Sequence, residues 1–136
     1  MTKLRLMHTM LRVRDLEASK AFYTGLLGMT LIREVDVPEG EFTLAFLGYG
    51  PEETHTVLEL TYNYGHGGYE AGDGFGHIAL ETPDIHATAE LLRRGGAEFL
   101  REPGPMQHGS TQIAFIRDPD GYMVELVQPD WLAGAA

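Results

Sequence analysis

Apolar and polar residues alternate along most of the chain, and two longer stretches follow a helical period instead. Alternation over four to eight residues is typical of a half-buried strand, whereas apolar residues that recur every three or four positions indicate a helix. On this basis the sequence predicts eight strands and two helices. The predicted strands are residues 6–13, 29–35, 41–47, 56–62, 75–80, 97–101, 111–116 and 122–127.

Each predicted helix begins after an aspartate, Asp15 or Asp84. Aspartate is favoured at this position because its carboxylate accepts hydrogen bonds from free N–H groups of the first turn. The first helix is expected to end at Gly28 and the second at residues 95–96, since glycine is common just past a helix. One face of the first helix would carry its larger apolar side chains, which are Leu16, Phe22 or Tyr23, Leu26 and Leu27. Between the last two strands, the sequence Asp-Pro-Asp-Gly at 118–121 predicts a hairpin turn.

The order of elements occurs twice, as βαβββ followed by βαβββ. Residues 12–19 align with residues 81–88 at an offset of 81 − 12 = 69, and residues 43–47 align with 112–116 at the same offset. The loop that follows in the first half is three residues longer, so the offset then falls to 66. The predicted fold class is therefore α+β, built from tandem βαβββ modules at residues 4–63 and 74–128 of a single domain, 1–136. Because each curved four-stranded sheet is open, we expect two units to pair, within the chain or across a dimer.

The repeat also places one histidine and one glutamate in each half. His8 aligns with His77 at the first offset, and Glu59 aligns with Glu125 at the second. A lone histidine in an apolar strand is usually structural, and a lone glutamate usually faces solvent. Matched pairs in both halves instead favour a His₂Glu₂ metal site, if the first and last strands of each half lie close together. Such a donor set suits Ni²⁺, Co²⁺, Zn²⁺ or Fe²⁺, and also admits Mn²⁺.

Composition narrows the possible functions. The 136 residues include no cysteine, which excludes a disulfide framework, a thiolate zinc site and a cysteine nucleophile, and fits a reducing cytoplasm. The net charge of −10 argues against binding to nucleic acid or to an anionic membrane surface. We also expect no signal peptide and no membrane span, because no apolar run of the required length occurs.

The repeated elements, with their matched histidines and glutamates, together resemble the short bacterial form of the glyoxalase I family, in the vicinal-oxygen-chelate superfamily. The resemblance covers residues 4–127 and rests on the joint set of motifs rather than on any one of them. The motifs are His8-Thr9-Met10-Leu11-Arg12-Val13, Phe22-Tyr23 through Leu27-Gly28-Met29, Leu44 to Gly50, Glu59-Leu60-Thr61-Tyr62-Asn63, Gly76-His77-Ile78-Ala79 and Asp118 to Tyr122.

The resemblance implies a metal-dependent enzyme that detoxifies methylglyoxal. Its substrate would be the hemithioacetal of methylglyoxal and glutathione. Its product would be S-D-lactoylglutathione, formed by proton transfer through an enediolate that the metal stabilises. Glu125 matches the residue that serves as base, and Glu59 would act on the other hemithioacetal enantiomer. The short form goes with Ni²⁺ or Co²⁺ rather than Zn²⁺, and the implied ligands are His8, Glu59, His77 and Glu125.

The resemblance also implies how the substrate is held. Arg12 and Asn63 match the positions that grip the γ-glutamyl end of glutathione. The family's usual lysine or arginine for the glycyl end is missing from residues 102–116, where Gln107 and His108 stand instead. In the family, the first half of one subunit meets the second half of the other, which implies a homodimer with two interfacial sites.

Other functions share this fold. A methylmalonyl-CoA epimerase uses the same metal-aided deprotonation but tends to have a glutamine among its ligands. A fosfomycin-type thiol transferase or an extradiol dioxygenase would typically need three protein ligands. A metal-free drug-binding module of the bleomycin-resistance kind would have no reason to keep four ligands in register. Metal analysis of the purified protein discriminates the last of these from the enzymes.

Overall fold

The chain forms two compact units, one ending at residue 70 and one beginning at residue 71. The computed structural model describes residues 2–132. Each unit contains one four-stranded sheet and one main helix, and the elements follow each other in the same order in both units. The organisation of the two modules as a single domain stays a prediction.

The first unit is built on a sheet with strand order β1-β4-β3-β2. A five-residue α-helix lies between its first two strands and continues without a break into a segment of wider, π-helical turns. The elements are β1 (His8–Arg12), α1 (Leu16–Lys20), the π-helical segment (Ala21–Leu26), β2 (Thr30–Val37), β3 (Phe42–Gly48) and β4 (Val57–Asn63).

The second unit repeats this arrangement with strand order β5-β8-β7-β6. Its helix is a regular α-helix of ten residues, and the unit ends in one short 3₁₀ turn. The elements are β5 (His77–Glu81), α2 (Ile85–Arg94), β6 (Glu98–Pro105), β7 (Gln112–Arg117), β8 (Met123–Gln128) and the 3₁₀ turn (Asp130–Leu132).

The tandem βαβββ fold predicted from the sequence is confirmed. In each unit the first strand pairs in parallel with the last, while the other pairs are antiparallel. A parallel pair needs a long crossover connection, which the helix and the two intervening strands provide. The first and last strands are therefore neighbours in the sheet although they are farthest apart in sequence.

The predicted helix signals are also present. The carboxylate of Asp15 accepts a hydrogen bond of 3.1 Å from the N–H of Ala18, and Asp84 accepts one of 3.1 Å from Ala87. At the other end of each helix, Gly28 and Gly96 have φ angles of +75° and +90°, a left-handed conformation that glycine adopts without strain. Each helical segment thus begins after the predicted aspartate and ends next to the predicted glycines.

The prediction of one regular helix up to Gly28 is wrong in its second half. The α-helix ends at Lys20, and the turns widen over Ala21–Leu26. Here the hydroxyl of Thr24 donates a 2.7 Å hydrogen bond to the carbonyl of Lys20, a side-chain bond that bends helices locally. The wider turns leave Tyr23 fully buried while Phe22 is half-buried, with the two rings edge to face at 5.0 Å.

Each unit buries its own apolar cluster on the face of the sheet that its helix covers. Burial of this apolar surface is the main favourable contribution to folding. In the first unit the fully buried side chains come from β3, β4, the helical segments and the residue that follows β1, and in the second from α2, β7 and β8. The largest of them are Val13, Tyr23, Leu47, Leu60, Ile85, Ile116, Val124 and Leu126.

The predicted hairpin turn at residues 118–121 joins β7 and β8. The buried Asp118 carboxylate accepts hydrogen bonds from the N–H groups of Asp120 (2.9 Å) and Tyr122 (2.8 Å), and Gly121 has a φ of +90°. This pattern is that of an aspartate that stabilises a turn through its own backbone neighbours.

No helix within residues 2–132 is both long and apolar enough to cross a membrane.

The cap of α2 gives a direct test of the fold. Replacing Asp84 with alanine should lower the free energy of unfolding by about 1 kcal/mol, because one N–H group of the first turn loses its acceptor. Urea denaturation followed by circular dichroism measures this loss. Glu90→Ala is the matched control, since Glu90 is exposed on the same helix and forms an ion pair with Arg94 at 3.2 Å. Its loss should cost about 0.5 kcal/mol or less. Equal losses in the two variants would contradict the capping role.

Candidate functional site

The histidine of β1 and the glutamate of β4 meet on one face of the first sheet. His8 lies opposite Val57 and Met10 lies opposite Glu59 in the parallel pair, so His8 and Glu59 are diagonal neighbours whose side chains project from the same face. The distance from His8 Nε2 to Glu59 Oε1 is 2.9 Å, and the two side chains are 31% and 13% exposed. The parallel pairing of β1 and β4 therefore brings His8 and Glu59 together, as the predicted metal site requires.

The second unit contains an equivalent pair. His77 lies opposite Met123 and Ala79 opposite Glu125, so the register is the same as in the first unit. The distance from His77 Nε2 to Glu125 Oε1 is 3.1 Å, with side-chain exposures of 39% and 16%. We call these two arrangements, His8–Glu59 and His77–Glu125, the His–Glu pairs.

An aromatic ring supports each histidine. Phe46 meets His8 edge to face with 5.7 Å between ring centres, and Phe115 meets His77 in the same way at 5.2 Å. Each phenylalanine lies directly opposite the glutamate of its own pair in the sheet. Sequence reasoning missed this role, although the signal was present: the two phenylalanines align at the offset of 69 that also aligns the histidines.

A charged pair covers Phe46. The guanidinium carbon of Arg33 lies 3.7 Å from the centre of the Phe46 ring, and the same guanidinium donates hydrogen bonds to Glu52. These hydrogen bonds hold the pKa of the Glu52 carboxyl below its usual value and raise the pKa of Arg33. Phe46 is thus enclosed between Arg33 and His8 and is 3% exposed.

The geometry of both pairs fits ligation of a divalent metal. Two ligands on neighbouring corners of an octahedron, each about 2.1 Å from the ion, are about 3.0 Å apart. The separations of 2.9 and 3.1 Å between nitrogen and oxygen match this value. Imidazole and carboxylate also form a donor set that borderline divalent ions accept.

Each pair alone supplies only two donors. Among residues 2–132, no cluster of three or more histidine and acidic side chains is placed to hold a metal ion. A site with the predicted four ligands therefore needs one pair from a first unit and one pair from a second unit. Within the first pair, Nδ1 of His8 is buried and has no hydrogen-bond partner in the part of the chain described. The other ring nitrogen, Nε2, is the one that faces Glu59.

The predicted γ-glutamyl contacts lie on the same face as His8 and Glu59. Arg12 is exposed at the end of β1, opposite Thr61, and Asn63 ends β4 two residues farther on. The Asn63 amide donates a 2.9 Å hydrogen bond to the hydroxyl of Tyr69. The ring of Tyr69 stacks on His66 with 4.0 Å between centres.

The two residues predicted at the glycyl end lie on the loop between β6 and β7. Gln107 and His108 are both exposed there, and His108 has a φ of +63°. Within residues 2–132, no hydrogen bond or ring contact connects them to the His77–Glu125 pair. The nearest preceding cation, Arg101, donates hydrogen bonds to backbone carbonyls, those of Gly104, Pro105 and Ile113.

The three remaining histidines are exposed. His55 contacts the hydroxyl of Thr54, His66 stacks on Tyr69, and His86 lies on the surface of α2. None of them belongs to either His–Glu pair.

Comparison with known proteins identifies the family. The sequence matches the family model of the Glyoxalase/Bleomycin resistance protein/Dioxygenase superfamily over residues 5–126. The match covers nearly the whole chain, and both His–Glu pairs fall within it. The chain belongs to this superfamily.

Several similar proteins are named lactoylglutathione lyase or glyoxalase I. A probable lactoylglutathione lyase of Synechocystis is 56% identical over 123 residues, which cover 90% of this chain and 94% of that protein. The lactoylglutathione lyase of Neisseria meningitidis serogroup A is 54% identical, over 92% of this chain and 91% of that protein. The crystal structure of glyoxalase I from Zea mays superposes with a TM-score of 0.89 at 50% identity. It covers 92% of this chain, but the chain spans only 44% of the maize protein.

Proposed function

We propose that this protein is a lactoylglutathione lyase that isomerises the hemithioacetal of methylglyoxal and glutathione to S-D-lactoylglutathione. The observation that carries the proposal is the pair of matching His–Glu arrangements, with separations of 2.9 and 3.1 Å, in a chain more than half identical to proteins of that name. Similarity over nearly the full length of those relatives supports an activity of the whole chain rather than of one segment.

A divalent metal is implied for this site by membership of the glyoxalase I group. The proposed ligands are His8, Glu59, His77 and Glu125, in line with the fit of both pairs to neighbouring coordination positions. Ni²⁺ or Co²⁺ is the proposed ion and Zn²⁺ the less suitable one, because the short form of the family that the sequence resembles goes with Ni²⁺ or Co²⁺. When bound, the metal supplies Lewis-acid stabilisation of the negative charge that develops on the substrate oxygens.

We further propose that the protein acts as a homodimer with two sites. Each His–Glu pair presents two donors, so a four-ligand site requires that a first-half pair and a second-half pair come together. In the proposed dimer the His8–Glu59 pair of one protomer faces the His77–Glu125 pair of its partner, and the reverse combination forms the second site. Such an arrangement is self-complementary, as expected for a twofold interface.

Glu125 is the proposed base. Its carboxylate would remove the proton from C1 of the hemithioacetal and return it to C2, while the hydroxyl proton passes from the oxygen on C1 to the oxygen on C2. The carbon that carried the hydroxyl and the sulfur thus becomes a thioester, and the ketone becomes a secondary alcohol. Glu59 would perform the same transfer on the opposite enantiomer. Both carboxylates are largely shielded from water, at 16% and 13% exposure.

The proposed role of Arg12 and Asn63 is to bind the γ-glutamyl end of glutathione. Both lie on the sheet face that carries His8 and Glu59, and a guanidinium pairs well with a carboxylate. At the glycyl end, Gln107 and His108 would bind through hydrogen bonds, because no lysine or arginine occurs from residue 102 to residue 116.

An activity assay tests the proposed reaction directly. After metal is removed with a chelator, Ni²⁺, Co²⁺ and Zn²⁺ are added back separately, and thioester formation from methylglyoxal and glutathione is followed. We expect no turnover without metal and the highest kcat with Ni²⁺ or Co²⁺. Failure of all three ions to restore turnover would refute the proposed function.

The metal ligands can be tested without substrate. Ni²⁺ at about one hundred times its Kd should stabilise the metal-free protein by about 2.7 kcal/mol, because it binds the folded state alone. His8→Ala and His77→Ala should each remove most of this stabilisation, measured by thermal unfolding with and without the ion. His86→Ala is the matched control and should keep it, since His86 is exposed on α2. Stabilisation retained by His8→Ala or His77→Ala would remove that residue from the ligand set.

The role of Glu125 is tested by Glu125→Gln. Glutamine keeps the shape and an oxygen donor but cannot accept the proton, so kcat should fall by about 100-fold or more while the fold and the metal content are retained. Circular dichroism and metal analysis provide the controls. A variant with near-normal kcat would show that another group is the base.

A further inference from the structure

The internal repeat places two carboxylates in nearly identical surroundings. Glu59 and Glu125 lie 2.9 and 3.1 Å from their histidines, are 13% and 16% exposed, and each faces a phenylalanine across the sheet. Neither the distance to the imidazole nor the exposure distinguishes a carboxylate that remains a ligand from one that leaves to accept a proton. A distinction between them must come from another contact.

That contact is a hydroxyl that stands beside the glutamate of the first unit and is missing at the equivalent position of the second unit. Thr61 Oγ1 donates a 3.0 Å hydrogen bond to Glu59 Oε2, the oxygen that does not face His8. At the offset of 66, the position equivalent to Thr61 is Val127, whose side chain has no donor.

The backbone holds both positions in the same way. The carbonyl of Thr61 accepts a 2.9 Å hydrogen bond from the N–H of Val13, and the carbonyl of Val127 accepts a 2.8 Å hydrogen bond from the N–H of Thr82. Threonine and valine are also nearly equal in shape. The two units therefore differ at this position by one hydroxyl on an otherwise matched frame.

Burial strengthens the effect of that hydroxyl. Thr61 is only 8% exposed, and Glu59 is 13% exposed, so water competes poorly for the hydrogen bond between them. A hydrogen bond to an ionised carboxylate is also stronger than one between neutral groups. With Oε2 held by Thr61, Oε1 stays directed at His8 and the carboxylate has little freedom to rotate.

We infer that Thr61 is a positioning residue that holds Glu59 in its ligand orientation and so makes Glu125 the more mobile of the two carboxylates. The inference rests on the proposed function, because it assigns the two glutamates different parts in the same reaction. In the second unit, the absence of a hydroxyl at Val127 leaves Oε2 of Glu125 without the restraint that Thr61 imposes on Glu59. The pseudo-symmetric site thereby has one more restrained and one more mobile carboxylate.

Titration of the metal-free full-length protein with Co²⁺ tests the first half of this inference. Thr61→Val removes the hydroxyl at nearly constant volume and should raise the Kd for Co²⁺ by about 10- to 100-fold, the usual cost of losing a group that orients a ligand. Thr61→Ser keeps the hydroxyl and should restore a Kd close to that of the wild type. Thr43→Val is the matched control: Thr43 donates to Asp36 on the opposite face of the same sheet, and its loss should leave the Kd unchanged.

The reciprocal variant tests the second half. Val127→Thr introduces the hydroxyl beside Glu125 and should restrain that carboxylate, so kcat should fall by about tenfold with little change in KM, while Co²⁺ binds at least as tightly as in the wild type. A merely structural effect would not lower kcat and preserve metal affinity together. Should Thr61→Val fail to fold, as shown by circular dichroism, Val127→Thr decides the question.

The outcomes separate this inference from the proposed function. Inactivity of the metal-loaded wild type refutes the function, and the Co²⁺ titration then still decides whether Thr61 orients Glu59. An unchanged Kd in Thr61→Val, or a Thr61→Ser protein as weak as Thr61→Val, overturns the positioning role. In an active enzyme, an unchanged kcat in Val127→Thr overturns the assignment of Glu125 as the mobile carboxylate.

Discussion

The candidate site depends on the parallel pairing of the first and last strands of each βαβββ unit, which places each histidine beside its glutamate. In sequence, His8 is separated from Glu59 by the helix and two strands, and His77 from Glu125 likewise. Hydrogen bonding between β1 and β4, and between β5 and β8, brings these strands side by side in one register. A shift of one residue would turn each glutamate to the opposite face, so the register itself specifies the pairs.

Much of this arrangement was predictable because it depends on local patterns. Alternating apolar residues predicted the strands to within a few residues, and Asp15, Asp84 and Gly28 predicted the helix ends. The repeat identified His8, Glu59, His77 and Glu125 before any geometry was known. These features follow from residues close together in sequence or from comparison of one half of the chain with the other.

Other features depend on contacts between distant residues and could not be predicted in this way. The π-helical turns at Ala21–Leu26 conflict with the regular helical period, and they arise where the Thr24 hydroxyl takes up a backbone carbonyl. The edge contacts of Phe46 and Phe115 with the histidines require the strand register, which pattern reasoning does not supply. Arg101, the cation nearest to the residues predicted at the glycyl end, is instead directed at backbone carbonyls.

The duplication has a consequence for how this protein can be studied. Because both halves share one register, one type of turn at the end of the helix and one type of His–Glu pair, each half serves as an internal reference for the other within a single molecule. A difference between matched positions, such as threonine in one half and valine in the other, is therefore observed at the same temperature, pH and concentration, with the same backbone around it. A difference between matched positions therefore indicates where equivalent residues of the two halves have unequal roles.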